Sequence, residues 1–162
     1  MFRVMTFAKT FPKYHPNAGE PTHFKTKIEM SSCFQPNSVM EGQEGEIHYV
    51  KFHTIRAGHR WNVGEMFLPR QWSEMPYTSK QESLGEDMTI LKIWGFMIDI
   101  ESDGSFSYWI LGDRCQHRLL TYYELKIIAQ NDGLTLPQFI DFFTSVPRFK
   151  GFAVKLLVGM NL

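Results

Sequence analysis

Two reciprocal helix-start signatures, Thr121-Tyr122-Tyr123-Glu124 and Thr135-Leu136-Pro137-Gln138, stand close together late in the chain and constrain its fold more than any other feature. In each, the threonine hydroxyl can accept from the third following amide while the Glu or Gln side chain reaches back to the threonine N–H. Leu125, Ile128 and Ala129 then follow the helical period, and Gly133 supplies a left-handed residue to end the first helix. Leu136, Phe139, Ile140 and Phe143 repeat at i, i+3, i+4 and i+7, an apolar stripe for the second. Upstream, Thr22 to Met30 reads as a modest amphipathic helix, with Phe24 and Ile28 on one face and Pro21 near its start. The rest is short apolar runs cut by Gly, Pro, Asn and Asp. Many strands, few helices and no strand–helix–strand alternation predict an α+β domain. Its expected core is a small β-barrel or strongly curved mixed sheet with about three helices packed on it.

The predicted strands begin at Phe2 to Phe7, followed by a Pro-punctuated loop from Thr10 to Pro21. Pro36-Asn37, Gly42 and Gly45 predict a loop insertion over residues 31–46. Ile47 to Arg56 reads as one strand, and Glu65 to Trp72 as another whose Pro69 should mark an edge or a bulge. Met88 to Glu101 is the longest apolar run, which predicts a strand buried on both faces with Gly95 as a bend. Ser102-Asp103-Gly104 is a hairpin turn leading into Phe106 to Leu111, and Phe149 to Val158 reads as a closing strand.

At 162 residues the chain fits one domain, residues 1–162. Aromatics reach 15% with 14 Phe, which leaves two readings open: a thick aromatic core, or stacking platforms for bases. The net charge is zero, so the molecule as a whole does not attract polyanions. Locally, though, Lys51 to Asn62 carries Lys51, Arg56, Arg60, His53 and His59 and no acid. Two cysteines, Cys33 and Cys115, make no disulfide framework. Cys115-x-His117 has no second pair to complete a zinc site, so neither a metal nor another cofactor is expected. No phosphate-loop motif is present, which argues against nucleoside-triphosphate chemistry. Lacking a signal pattern or an apolar run near ~20 residues, the chain is expected in the cytoplasm without a membrane partner.

Lys51-Phe52-His53-Thr54-Ile55-Arg56 places an amine, a hydroxyl and a guanidinium in one short stretch. In a regular strand Thr54 and Arg56 share one face and Lys51 takes the other. Lys51 and Thr54 converge only if a turn, a bulge or a loop entry intervenes. A partly desolvated lysine beside Arg56 would have a depressed pKa and act as nucleophile or base; the other reading is an exposed lysine on an edge strand. His53 should face opposite Thr54, as a packed or surface residue. His59 and Arg60 precede Trp61 in a turn suited to phosphate contact. Trp61 and Trp72 suit either base stacking or rim packing.

The Lys51-x-x-Thr54-x-Arg56 pattern, followed by Trp61-x-x-Gly64-Glu65, resembles the signature of the ASCH family in the PUA-like superfamily of small β-barrels. The Thr22–Met30 helix, the acidic-Gly-x-Thr-Leu junction at Asp132 to Leu136 and the closing strand follow the family's order. The Trp72 to Gln81 stretch is similar to phage-encoded members. The resemblance implies a nucleoside or RNA ligand held in a cleft beside Lys51–Arg56, with Arg56, His59, Arg60 and Trp61 as ligand contacts. Small relatives are amidohydrolases that deacylate N4-acetylcytidine. Carried over by position, Lys51 would activate water or attack the amide carbonyl, Thr54 would orient that amine, and Asp132 would pass a proton to the leaving nitrogen. Asp132 stands where those hydrolases have glutamate, and Tyr49-Val50 where the family usually has a glycine turn. Those departures keep two alternatives in view: a non-catalytic RNA or modified-base binding module, and a phage-type accessory interaction protein.

Overall fold

The structure, a computed structural model, describes residues 3–33, 39–41, 47–56, 60–100, 103, 105–111, 117–144 and 152–154. Its elements in chain order are β1 (Arg3–Phe7), α1 (Phe24–Glu29), β2 (Val39–Glu41), β3 (Ile47–Tyr49), β4 (Thr54–Arg56), β5 (Met66–Trp72), β6 (Gln81–Ser83) and β7 (Met88–Thr89). After these come β8 (Gly95–Ile100), β9 (Phe106–Leu111), β10 (His117–Leu119), α2 (Tyr122–Asn131), α3 (Leu136–Thr144) and β11 (Phe152–Val154). The architecture is mixed α+β. Among the described residues none of the sheets closes into a barrel.

One mixed sheet is built on β5, which runs parallel to β1 and antiparallel to β6 and β7. A second is the meander β8–β9–β10. Two short antiparallel pairs, β4 with β11 and β2 with β3, complete the pairing. The core runs between the two larger sheets and the helices. Phe67, Phe96 and Phe139 are wholly buried, and the Phe96 ring meets Phe139 edge-on at 6.2 Å. Burying each such ring contributes about 1.5–3 kcal/mol. Much of the phenylalanine content therefore serves the interior, while Tyr77, Tyr122 and Tyr123 stay exposed.

Both helix-start signatures form as the sequence predicts. Glu124 N donates to Thr121 Oγ1 at 3.3 Å and Thr121 N donates to the Glu124 carboxylate at 2.9 Å. Thr135 and Gln138 make the same exchange at 3.3 and 3.1 Å. Gly133 takes φ +79°, and its amide donates to Gln130 O as α2 ends.

Two strand expectations and one loop expectation need correction, while Pro69 marks a break in the ladder rather than an edge. Ile47 to Arg56 is not one strand: β3 stops at Tyr49 and β4 starts at Thr54, because Phe52 N and His53 N both donate to Asn131 O at the end of α2. Met88 to Glu101 splits into β7 and β8, which belong to different sheets. Its second half is not buried on both faces, since Phe96 and Ile98 turn inward while Asp99 is exposed. Pro69 lies inside its sheet, opposite Met5 of β1, where it is fully buried. Lacking an N–H, it falls in the gap between the β6 and β7 pairings, and only its carbonyl bonds across, to Leu84 N. The expected 31–46 loop holds β2, paired with β3; residues 34–38 and 42–46 lie outside the described residues.

Candidate functional site

The irregular stretch between β3 and β4 carries Lys51 into the interior. Lys51 forms an isolated antiparallel bridge with Asp132, and each residue is only 3% exposed. The Lys51 amine donates to Asp132 Oδ1 at 2.5 Å and to the Asp132 carbonyl at 2.7 Å. It also sits 4.2 Å from the centre of the Phe24 ring, a favourable seat for a desolvated cation. Reading Lys51 as an exposed edge-strand residue is therefore excluded.

Two more cations surround the same carboxylate. Lys27 of α1 is buried and donates to Thr22 O at 2.8 Å and to Gly133 O at 2.7 Å. Arg56 donates through Nη2 to Thr6 O and lies 4.9 Å from the Phe7 ring. Burial pushes the Lys51 amine below the ordinary lysine range; Asp132 counters this and Arg56 adds to it. Burial likewise pushes the Asp132 carboxyl up, against the pull of Lys51, Arg56 and Lys27. The Arg56 guanidinium is lowered to about 10, chiefly by burial. The α2 end helps hold these charges, because its last carbonyls favour nearby cations.

Thr54 is buried on β4, and no side-chain hydrogen bond joins it to Lys51 or Asp132 among the described residues. Arg60 is exposed, and its carbonyl accepts from Arg3. Trp61 packs edge-on against Phe67 at 6.0 Å with the Arg3 guanidinium 5.8 Å from its ring. Trp72 stacks at an angle against Tyr77 at 5.6 Å. His59 lies outside the described residues, as does Cys115. Among the described residues no group of three or more His, Cys, Asp or Glu could hold a metal ion, and no helix is long and apolar enough to cross a membrane.

A concavity lies next to this ionic cluster but is lined mainly by other residues. It measures about 350 Å³, inside the size range of small-molecule pockets. Trp94, Phe96 and Ile110 of the β8–β9 side form one apolar wall, with Ile55 of β4 and Leu120 closing it. Glu124, Ile127, Ile128 and Asn131 form the opposite wall. Their spacing is one continuous face of α2. His53 and Asn131 add polar groups, and Arg118 and Glu124 add charged ones.

Of the residues picked out in the Lys51–Arg60 stretch, the cavity thus takes His53 and Ile55, on the face opposite Thr54 and Arg56. His53 also borders a crevice of about 10 Å³ that Lys51 lines, so it separates the cavity from the buried amine. The signal that could have found this pocket is the i, i+3, i+4, i+7 spacing of Glu124, Ile127, Ile128 and Asn131, of which only Ile128 stood in the helical period read from the sequence. Trp94, Ile110 and Arg118 had no local signal, because they meet only through the β8–β9–β10 register. Comparison with protein-family models, curated proteins and solved structures found no match.

Proposed function

We propose that this chain is an ASCH-like, PUA-like domain that binds a nucleoside-sized ligand, with the base inserted in the cavity between α2 and the β8–β9 wall. The observation that supports the reading is the composition of that cavity. Trp94, partly exposed, offers an aromatic face on a wall otherwise formed by aliphatic side chains and the buried Phe96, and Asn131 and His53 add polar groups beside the strand that bears the ASCH-like pattern. Stacking a base on an aromatic side chain is worth about 1–3 kcal/mol. An Asn amide presents a donor and an acceptor together, the pattern suited to a base edge. In this reading the Lys51–Asp132 pair is a buttress beneath the site, fixing the end of α2 and with it Asn131.

Titration of cytidine against the protein, followed by calorimetry, tests this. At about −0.3 kcal/mol per heavy atom, the roughly 17 heavy atoms of cytidine give a dissociation constant on the order of 0.2 mM. Ile128→Trp, which fills the cavity, should abolish saturable binding without unfolding the protein. Undetectable binding to the wild type, or equal binding to Ile128→Trp, would remove the proposal.

A second reading, hydrolysis of the N-acyl group of a modified cytidine, is favoured by one observation: an amine and a carboxylate 2.5 Å apart, with burial lowering the amine's proton affinity. It requires the substrate's acyl group to pass His53 and reach Lys51. Incubation with N4-acetylcytidine decides it. Turnover that disappears in Lys51→Ala, in protein that still melts cooperatively, supports the enzyme. Absence of turnover, or turnover indifferent to that substitution, leaves the binding module.

A further inference from the structure

We propose that Arg118 is the anion-recognising residue of the cavity and that the preferred ligand carries a phosphate on its sugar, making it a nucleotide. The inference rests on the base-binding reading of the cavity and specifies its ligand.

The register places Arg118 opposite Ile110 on the antiparallel β9–β10 pair, and both line the cavity. Leu120, two residues on, lines it as well. Arg118 is therefore on the cavity side of the edge strand, yet its side chain remains 60% exposed, which puts the guanidinium at the mouth. All its polar contacts among the described residues run through Nη1, to Glu124 Oε1 at 2.7 Å and Oε2 at 2.9 Å. A guanidinium has five donors in a rigid fork. Nη2 and Nε thus remain for a second oxyanion while Nη1 stays on Glu124.

Glu124 is the fixed member of this pair. Its Oε2 accepts from Thr121 N and from Thr121 Oγ1, both at 2.9 Å, as part of the α2 cap. Those bonds do not involve Arg118, so its guanidinium can be shared with a ligand without uncapping the helix. An exposed ion pair also holds Arg118 only weakly, whereas a bidentate guanidinium–phosphate contact is among the stronger charge-assisted bonds. Lys92 does not line the cavity, but its Nζ is 4.6 Å from the ring of Trp94, which does. With its Glu124 partner shared with the helix cap, the guanidinium stands at the mouth of a mostly apolar pocket, a combination suited to a flat ring bearing an anionic group.

The phosphate can belong to a free mononucleotide or to a nucleotide within a single strand. Calorimetric titration at low salt with cytidine, cytidine 5′-monophosphate and a cytidine trinucleotide separates these sources. Wild type should bind the monophosphate about tenfold more tightly than cytidine, with the advantage shrinking as salt is raised. Arg118→Gln should weaken the monophosphate several-fold more than cytidine and so bring the two affinities together. A trinucleotide bound more tightly still, with the same dependence on Arg118, identifies the source as a strand; weaker binding identifies the mononucleotide. Equal wild-type affinities for cytidine and its monophosphate, or an Arg118→Gln loss equal for both, would overturn the assignment and leave the base-binding reading intact. No binding of any of the three overturns both.

Discussion

The Lys51 amine and the Asp132 carboxylate meet at 2.5 Å inside the protein, joined across 81 positions of sequence, and the amine donates again to the carbonyl of the same aspartate. This contact ties the irregular stretch before β4 to the junction of α2 and α3. It does not stand alone, because Lys27 and Arg56 act on the same carboxylate. One buried anion therefore answers three buried or half-buried cations.

That imbalance sets an order of costs. Removing one member of a buried ion pair typically costs about 3–5 kcal/mol. Asp132→Asn should reach that range, because it strands three cations at once. Lys51→Met should cost less, since Arg56 and Lys27 still face the carboxylate. Urea denaturation of the two variants checks the order. A larger loss for Lys51→Met would mean that the cations are not competing for Asp132.

His53 separates Lys51 from the cavity, and this has a chemical consequence. Against an amine-acylating reagent, native Lys51 should react at least about tenfold more slowly than an exposed lysine such as Lys92, since only its neutral, accessible form is nucleophilic. His53→Ala should speed its labelling by joining the crevice to the cavity. Mass spectrometry of the labelled peptides reads the rates. Rapid labelling of Lys51 in the wild type would show that the amine already reaches solvent.

Glu124 gives a pH dependence of known sign. The Thr121 amide and hydroxyl, then Arg118, hold its carboxyl below the usual glutamate range. A folded-state value below the unfolded one means stabilisation fully present above about pH 4.3 and lost as pH falls through the folded value. The melting temperature of wild type should therefore exceed that of Glu124→Gln by a constant margin near neutrality. The margin should close below the ordinary glutamate pKa. Melts from neutral to strongly acidic pH measure it, and a gap that widened in acid would contradict the assigned bonds.

Gly95 offers a test of the β8–β9 wall. A Cβ added there would stand 2.5 Å from Leu111 Cβ and 3.1 Å from two further atoms of that side chain. The clash is with the root of the leucine, which cannot swing away, so the strands must separate. Gly95→Ala should cost about 1–3 kcal/mol, the range for overpacking. Chemical denaturation reads it directly. Unchanged stability would show that the pair can shift without loss.

How legible these features were depended on their range in sequence. The α+β class, the helix starts at Thr121 and Thr135 and the stop at Gly133 rest on interactions spanning a few residues, and all were readable. The break between Tyr49 and Thr54 was not, because nothing local marks it: no glycine or proline interrupts Val50 to His53. It arises when the 52 and 53 amides turn to Asn131 O, a partner far along the chain. The division of Met88 to Ile100 between two sheets was hidden for the same reason. Lys51, Thr54, Arg56 and Asp132 were recognised as a group by pattern, yet pattern could not say that the amine and carboxylate would lie inward. Nor could it say that the open space would fall to His53, Ile55 and the outer face of α2.

The pairing of β4 with β11 sets Arg56 opposite Phe152. During synthesis, the Thr54–Arg56 strand must therefore wait for its neighbour while roughly 100 further residues are made, about 5–20 s at ordinary translation speeds. Through that interval its ribbon edge is open to strangers. A nascent chain of this protein is consequently open to mispairing at the very stretch that later carries Arg56 into the ionic cluster.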